Sequence, residues 1–320
     1  MGKQVINLET ILTSIQSVFG TMATPLVTAD YTQGGKPTIN MDVQSTDVES
    51  IGVFFGQDQP VSGPREVVHT ISFPLRSGGA EDTPGDWAKY LKCSCMKETP
   101  ATHVYTYSLC QSTADWRDMT IWGYTGAQGA SASILRVLCN LLYSAKISLD
   151  FNSGYASIEF TGKGNYNTLP AVATQPTITR KSLVTPSLIN FTGTVFDDAG
   201  IIPITHTIDI ANEITVCLDP VNANGSGKGI SYFTDSKIKY STKCYIDTAV
   251  ALDAHADLTA GTQKTFTMHW GTAPNAFTIQ DNAVALKSVK ESDQNGIKTY
   301  DIESVSVGNG FTLAVDTTVT

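Results

Sequence analysis

The sequence predicts a mainly β protein of two β-sandwich or barrel domains with a few short helices, and three observations predict it. Charged residues make up only 16% of the chain, against an average of about 25%, while Gly, Ser, Thr and Asn are plentiful. Apolar and polar residues alternate over short runs punctuated by Gly, Asn, Asp and Pro. The length, 320 residues, suits two domains at roughly 100 to 200 residues each.

Taken in order, residues 1–20 place Val5, Leu8, Ile11, Leu12, Ile15 and Phe19 at helical spacing before Gly20, which predicts a short amphipathic helix docked on protein. Glu9 interrupts the stretch, and it lacks the basic start and continuous apolar centre of a signal peptide. Strands are predicted over 66–73, 146–151, 155–161, 205–210, 213–218, 237–246, 264–270 and 298–307. Asn152-Ser153-Gly154 reads as the turn of a hairpin. Two helices are expected, one over 84–92 with Pro84 in its first turn and one over the apolar run 131–143, which a strand also fits. Prolines 170, 176 and 186 mark an extended connector, assigned to 171–187, between a first β-domain over 21–170 and a second over 188–320. The halves share a similar series of strands, which suggests internal duplication.

Alternation separates wet from dry faces. Ile147, Leu149, Phe151, Ile158 and Phe160 point one way, and Ser148, Asp150, Ser157 and Glu159 the other. Thr207 and Asp209 oppose Ile208 and Ile210, and Asp301 and Glu303 oppose Tyr300 and Ile302. Lys237, Lys239 and Lys243 interrupt an otherwise carboxylate- and hydroxyl-bearing surface.

Chemistry is hard to find. Neither GxSxG nor SxxK occurs, and His69, His103, His206, His255 and His269 form no HExxH or HxH. The run 224–229 (NGSGKG) has Ala223 where a phosphate loop needs Gly and Gly229 where it needs Ser or Thr. Cys93-Ser94-Cys95 has no second pair to complete a zinc site, so the six cysteines are expected to be buried thiols. No catalytic, cofactor or metal site is assigned, and the chain is not expected to be an enzyme. A net charge of -9 argues against tight DNA binding, and no run of about 18 apolar residues suggests a membrane span.

The order of several segments carries a resemblance. The stretch 71–79 (ISFPLRSGG) followed by 83–99 (TPGDWAKYLKCSCMKET), then 120–124 (TIWGY), 126–130 (GAQGA) and 157–162 (SIEFTG), resembles the tail tube proteins of tailed bacteriophages, also called major tail proteins. In the second half, 209–214 (DIANEI) and 229–236 (GISYFTDS) resemble strands of the same family. The likeness covers most of the chain beyond residue 20, although many tube proteins have one β-domain of about half this length.

The resemblance implies tail-tube-like domains whose inner strands form a continuous barrel on ring assembly, in rings that stack into the tube conducting DNA during ejection. Its implied partners are further copies of itself, a tape measure protein, a tail terminator and tail-tip or baseplate proteins, with double-stranded DNA passing without tight binding and no membrane. The implied location is the virion tail, after assembly in the host cytoplasm. Two domains per chain favour a trimeric, pseudo-hexameric ring over a hexamer. Ser148, Asp150, Ser157, Glu159, Asp209, Asp301 and Glu303 are the candidates for lining the channel, and loops 56–65 and 222–229 for ring-to-ring contacts. The alternatives are a tail-tip, baseplate or tail-completion ring protein and a non-viral carbohydrate-binding β-module.

Overall fold

A computed structural model describes residues 9–22, 27–35, 37–46, 61–126, 132–179, 181, 184–187, 192–197, 201–218, 228–246, 254–294 and 296–319. Its first half comprises β1 (Glu9–Ile15), β2 (Thr38–Thr46), β3 (Val61–Pro74), α1 (Trp87–Lys92), β4 (Met96–Ala101), β5 (Val104–Leu109), β6 (Met119–Thr125), β7 (Ser133–Asp150) and β8 (Tyr155–Ala173). The second comprises β9 (Thr192–Val195), β10 (Ile201–Leu218), β11 (Lys228–Ile246), α2 (Ala254–Ala260), β12 (Gln263–Trp270), β13 (Ala276–Gln294), β14 (Ile297–Ser306) and β15 (Thr312–Asp316).

Local chemistry explains the long hairpin β7–β8. Its strands alternate buried Ala145, Ile147 and Leu149 with polar neighbours, and Ala156, Ile158 and Phe160 do the same on the return. At the turn the Asp150 carboxylate accepts from the Asn152 N–H at 2.9 Å, and Gly154 takes a φ of 75° that side chains resist. Helix α1 starts at Trp87, three residues after the proline expected to open it. Gly85 lies so close to the Arg76 carbonyl that a β-carbon would sit 2.3 Å from it, and the Trp87 indole N–H donates to that same carbonyl at 2.7 Å. The loop is thereby pinned to the end of β3, and Trp87, Tyr90 and Leu91 enter the core.

All described strands belong to one antiparallel sheet. Its spine runs β2-β3-β8-β7-β10-β11-β14-β13, with β15, β5 and β4 following. The order repeats itself. Strands β2-β3-β8-β7 of the first half and β10-β11-β14-β13 of the second stand in the same sequence. The triplet β1-β6-β7 likewise matches β9-β12-β13. Each half also places a helix after its second spine strand. Among the described strands only β4, β5 and β15 lack a counterpart.

Two expectations change. Residues 9–15 form a strand paired with β6 rather than part of a helix. Ile11 enters the main core and the adjacent Leu12 a second cluster with Tyr124 on the opposite face, so both faces are covered and the apolar spacing loses its period of two. Thr10, Ile11, Thr13 and Ile15 are β-branched and suit the extended chain. Residues 1–8 lie outside the described residues. The run 131–143 is also strand from Ser133 onward, flanked by β6 and β8, and an apolar run of this kind looks the same in a buried helix.

The boundary at 171–187 divides the sequence without dividing the sheet. Strand β8 continues to Ala173, β7 pairs with β10 across the boundary, and β15 returns to pair with β5. One core serves both halves, and Trp87 and Phe277 approach within 6.1 Å between ring centroids. Phe73, Tyr90, Tyr143 and Phe160 form an aromatic centre under the first half, each buried ring contributing on the order of 1.5–3 kcal/mol.

Candidate functional site

The spine of the sheet has one dry face and one wet face. The dry face carries Ile147, Ile158, Ile208, Ile210, Ile238, Tyr240 and Ile302, all buried. Directly opposite residues in an antiparallel ladder point to the same face, so the pairings locate the seven sequence-predicted residues relative to one another.

They share one face. One row across the strands reads Ser157, Ser148, Thr207, Ser241, Glu303 and Ser288. On one side of it runs Glu159, Lys146, Asp209 and Lys239. On the other runs Asp150, Thr205, Lys243, Asp301 and Lys290. The alternation that selected Ser148, Asp150, Ser157, Glu159, Asp209, Asp301 and Glu303 therefore picked residues from both halves of the chain that the β7–β10 ladder joins into one surface. Asp150 is held below the usual carboxylate range chiefly by the Asn152 N–H, so it is firmly anionic at neutral pH.

The lysines on this face outnumber those the sequence reading singled out. Lys146 and Lys290 stand in the same rows, and Lys287 borders a groove of about 340 Å³ with Lys146, Asp209, Lys239 and Glu303. Across the three rows, Lys146, Lys239, Lys243 and Lys290 face Glu159, Asp209, Asp150, Asp301 and Glu303. The surface is close to charge-balanced, where the sequence alternation suggested a carboxylate- and hydroxyl-bearing surface interrupted only by Lys237, Lys239 and Lys243. Lys146 had a signal in the sequence, since it stands two residues before Ser148 and shares its parity.

Other polar groups are distributed differently. His69 and His206 are buried on the dry side, where desolvation pulls each down to about 3 and leaves them neutral. Their Nδ1 atoms bond Tyr143 at 3.0 Å and Thr242 at 2.8 Å. Among the described residues no group of three His, Cys, Asp or Glu is placed to hold a metal ion, and all six cysteines are free thiols. Trp87 and Trp270 are buried, and Trp116 and Trp122 half-buried on different strands and loops, so the tryptophans form no exposed stacking platform. Loop residues 56–60 and 222–227 lie outside the described residues; 61–65 belong to β3 and 228–229 to β11. No helix among the described residues is long and apolar enough to cross a membrane.

No family model matches the chain, and neither does any curated protein sequence.

Proposed function

We propose that the chain is a structural subunit that closes into rings through its own sheet and stacks them into the tail tube of a bacteriophage. The observation that carries this reading is a ladder made once inside the chain and, among the described residues, without a strand partner at either end. Residues 145–150 of β7, just before their hairpin, have β8 on one side and β10 on the other. Residues 289–294 of β13, just before theirs, have β14 on one side and, among the described residues, no strand on the other. Strand β2, the counterpart of β10, pairs among the described residues with β3 alone. Exposed edges invite strand addition, and a repeated unit that joins to its neighbour edge to edge closes most simply with further copies of itself.

With two such units per chain, a six-unit ring takes three copies. The wet face then lines the channel. Each of Lys146, Lys239, Lys243 and Lys290 has a carboxylate as a direct cross-strand neighbour, which competes with a passing phosphate and keeps DNA contacts transient. Partners at the tube ends and inside it are the tape measure, terminator and tip or baseplate proteins of such a tail.

The edge supplies the test. Gln294 and Ile297 close a two-residue turn and are a hydrogen-bonded pair, so Ser292 and Lys290 also bond to β14 while Val289 and Glu291 turn their N–H groups outward. Glu291→Pro removes an outward donor and places a ring where the next strand would lie, and Glu291→Ala controls for the loss of the side chain's ion pairs with Lys298 and His255. Electron microscopy should show rings or tubes for the wild type and Glu291→Ala, and monomers of unchanged circular dichroism for Glu291→Pro. Assembly by the proline variant, or a wild type that stays monomeric when concentrated, refutes the reading.

A further inference from the structure

The base of the β4–β5 hairpin holds two cysteines that the wet face does not use. Its ladder pairs Met96 with Leu109, and one step further Cys110 donates its N–H to the Cys95 carbonyl at 2.9 Å. Cys95 takes a left-handed φ of 59° and so leaves the regular ladder, but the direct backbone bond still holds the two residues within the roughly 4.4–6.8 Å between α-carbons that a disulfide spans. Cys95 sits in a small cluster with Leu142 and Phe233 against which Cys110 and Trp116 pack, and the interaction with Cys110 is the main cause holding Cys95 below the usual thiol range while Cys110 is pushed up. Cys95 is buried, but Cys110 is half-exposed and opens the pair to a small reagent. Of the other four thiols, burial pushes Cys93, Cys139 and Cys244 up, Cys139 bonds the Asn165 side chain at 2.7 Å, and Cys217 is half-exposed on β10.

We propose that Cys95 and Cys110 form an oxidation site that closes to a disulfide with a peroxide and reopens with a thiol reductant. The Cys95 thiolate attacks one peroxide oxygen, forming an S–O bond as the O–O bond breaks and the departing hydroxide takes up a proton. The Cys110 sulfur then attacks the sulfenic sulfur; the S–S bond forms, the S–O bond breaks, and hydroxide leaves with the Cys110 proton as water. Two thiols give up two electrons, and one hydrogen peroxide becomes two waters.

The location gives the bond a consequence. Cys95 also meets Ser236 of β11, and the neighbouring Ser94 carbonyl accepts from the Asn212 amide of β10 at 2.8 Å. Trp116, a few residues past Cys110, packs on Phe233 at 5.3 Å. Closing the pair ties the 110–116 loop to the seam where the two halves meet. This inference is independent of the tail-tube reading.

The test treats the full chain with hydrogen peroxide, alkylates remaining thiols in denaturant, and maps peptides by mass spectrometry without reduction. A Cys95–Cys110 linked peptide is expected, with two of the six thiols lost and regained with dithiothreitol, and a melting temperature several degrees higher. Cys110→Ser, with unchanged circular dichroism, should abolish both effects; Cys110→Ala serves if the serine variant misfolds. Six alkylated thiols after treatment, a linkage between any other pair, or oxidation of Cys95 to sulfinic acid without linkage overturns the proposal.

Discussion

Asn212 offers the sharpest test of whether the two halves share one cooperative structure. From β10 its amide nitrogen donates to the carbonyls of Ser94 and Tyr143, each at 2.8 Å, and its oxygen accepts from the Ser236 hydroxyl at 2.6 Å. One buried side chain thus bonds the exit of α1, strand β7 and strand β11. Asn212→Ala takes this donor from two carbonyls, and each buried polar group left unpaired costs about 1–3 kcal/mol. Ser236 is half-exposed and can turn to water, so it adds little. The expected loss is about 2–4 kcal/mol, a large share of the roughly 5–15 kcal/mol that holds a typical domain together. Urea unfolding followed by tryptophan fluorescence and by circular dichroism should show one coincident transition in both proteins, with the midpoint lowered and the slope unchanged. A loss under about 0.5 kcal/mol, or separate transitions for the two probes in the wild type, would refute the reasoning.

Three further outcomes are expected. His69 and His206, pulled down to about 3 by burial, stay neutral in the fold while the unfolded chain takes up protons below about 6.5, so stability falls as pH drops from 6.5 toward 3. The slope is about 1.4 kcal/mol per pH unit for each, and His206→Leu should remove about half of their joint contribution; an unchanged acid limb contradicts this. Asp118 works in the opposite sense, because burial lifts it to about 6 against the bond from the Gly20 N–H. Its contribution to stability declines as pH rises from about 4 to 6, and Asp118→Asn should abolish that decline in pH-dependent melting; a curve parallel to wild type counts against it. Ile11→Asp, in the main core, should cost several kcal/mol by burying a charge. The half-buried Ile15→Asp should cost less, and equal melting temperatures for these two would contradict the strand assignment.

The hairpin at 146–161 was legible because one of its faces is wet, so Ser148, Asp150, Ser157 and Glu159 could alternate with apolar neighbours. The same signal placed Asp209, Asp301 and Glu303 on the shared face, although no local pattern could announce that β7 pairs with β10. Where a strand is covered on both faces the signal vanishes, as in 9–15 and 133–143, and apolar residues crowd into spacings that imitate a helix. Strand β13 was missed as a whole: Ala276, Phe277, Ile279, Val284 and Leu286 alternate only in part, and a bulge between Leu286 and Ser288 shifts the parity midway. The balance of charge on the wet face escaped the net charge of -9 because that sum includes acids elsewhere, such as Glu81 and Asp82 beside His103.

The most direct test of the central claim is the rotational symmetry of the particle formed by the purified chain, read from averaged end-on electron micrographs. A ladder that repeats the β7–β10 junction between β13 of one copy and β2 of the next predicts rings of three copies, with six similar lobes around a channel lined by the wet face. Rings of six copies, or a junction that leaves β2 and β13 unpaired, would contradict it.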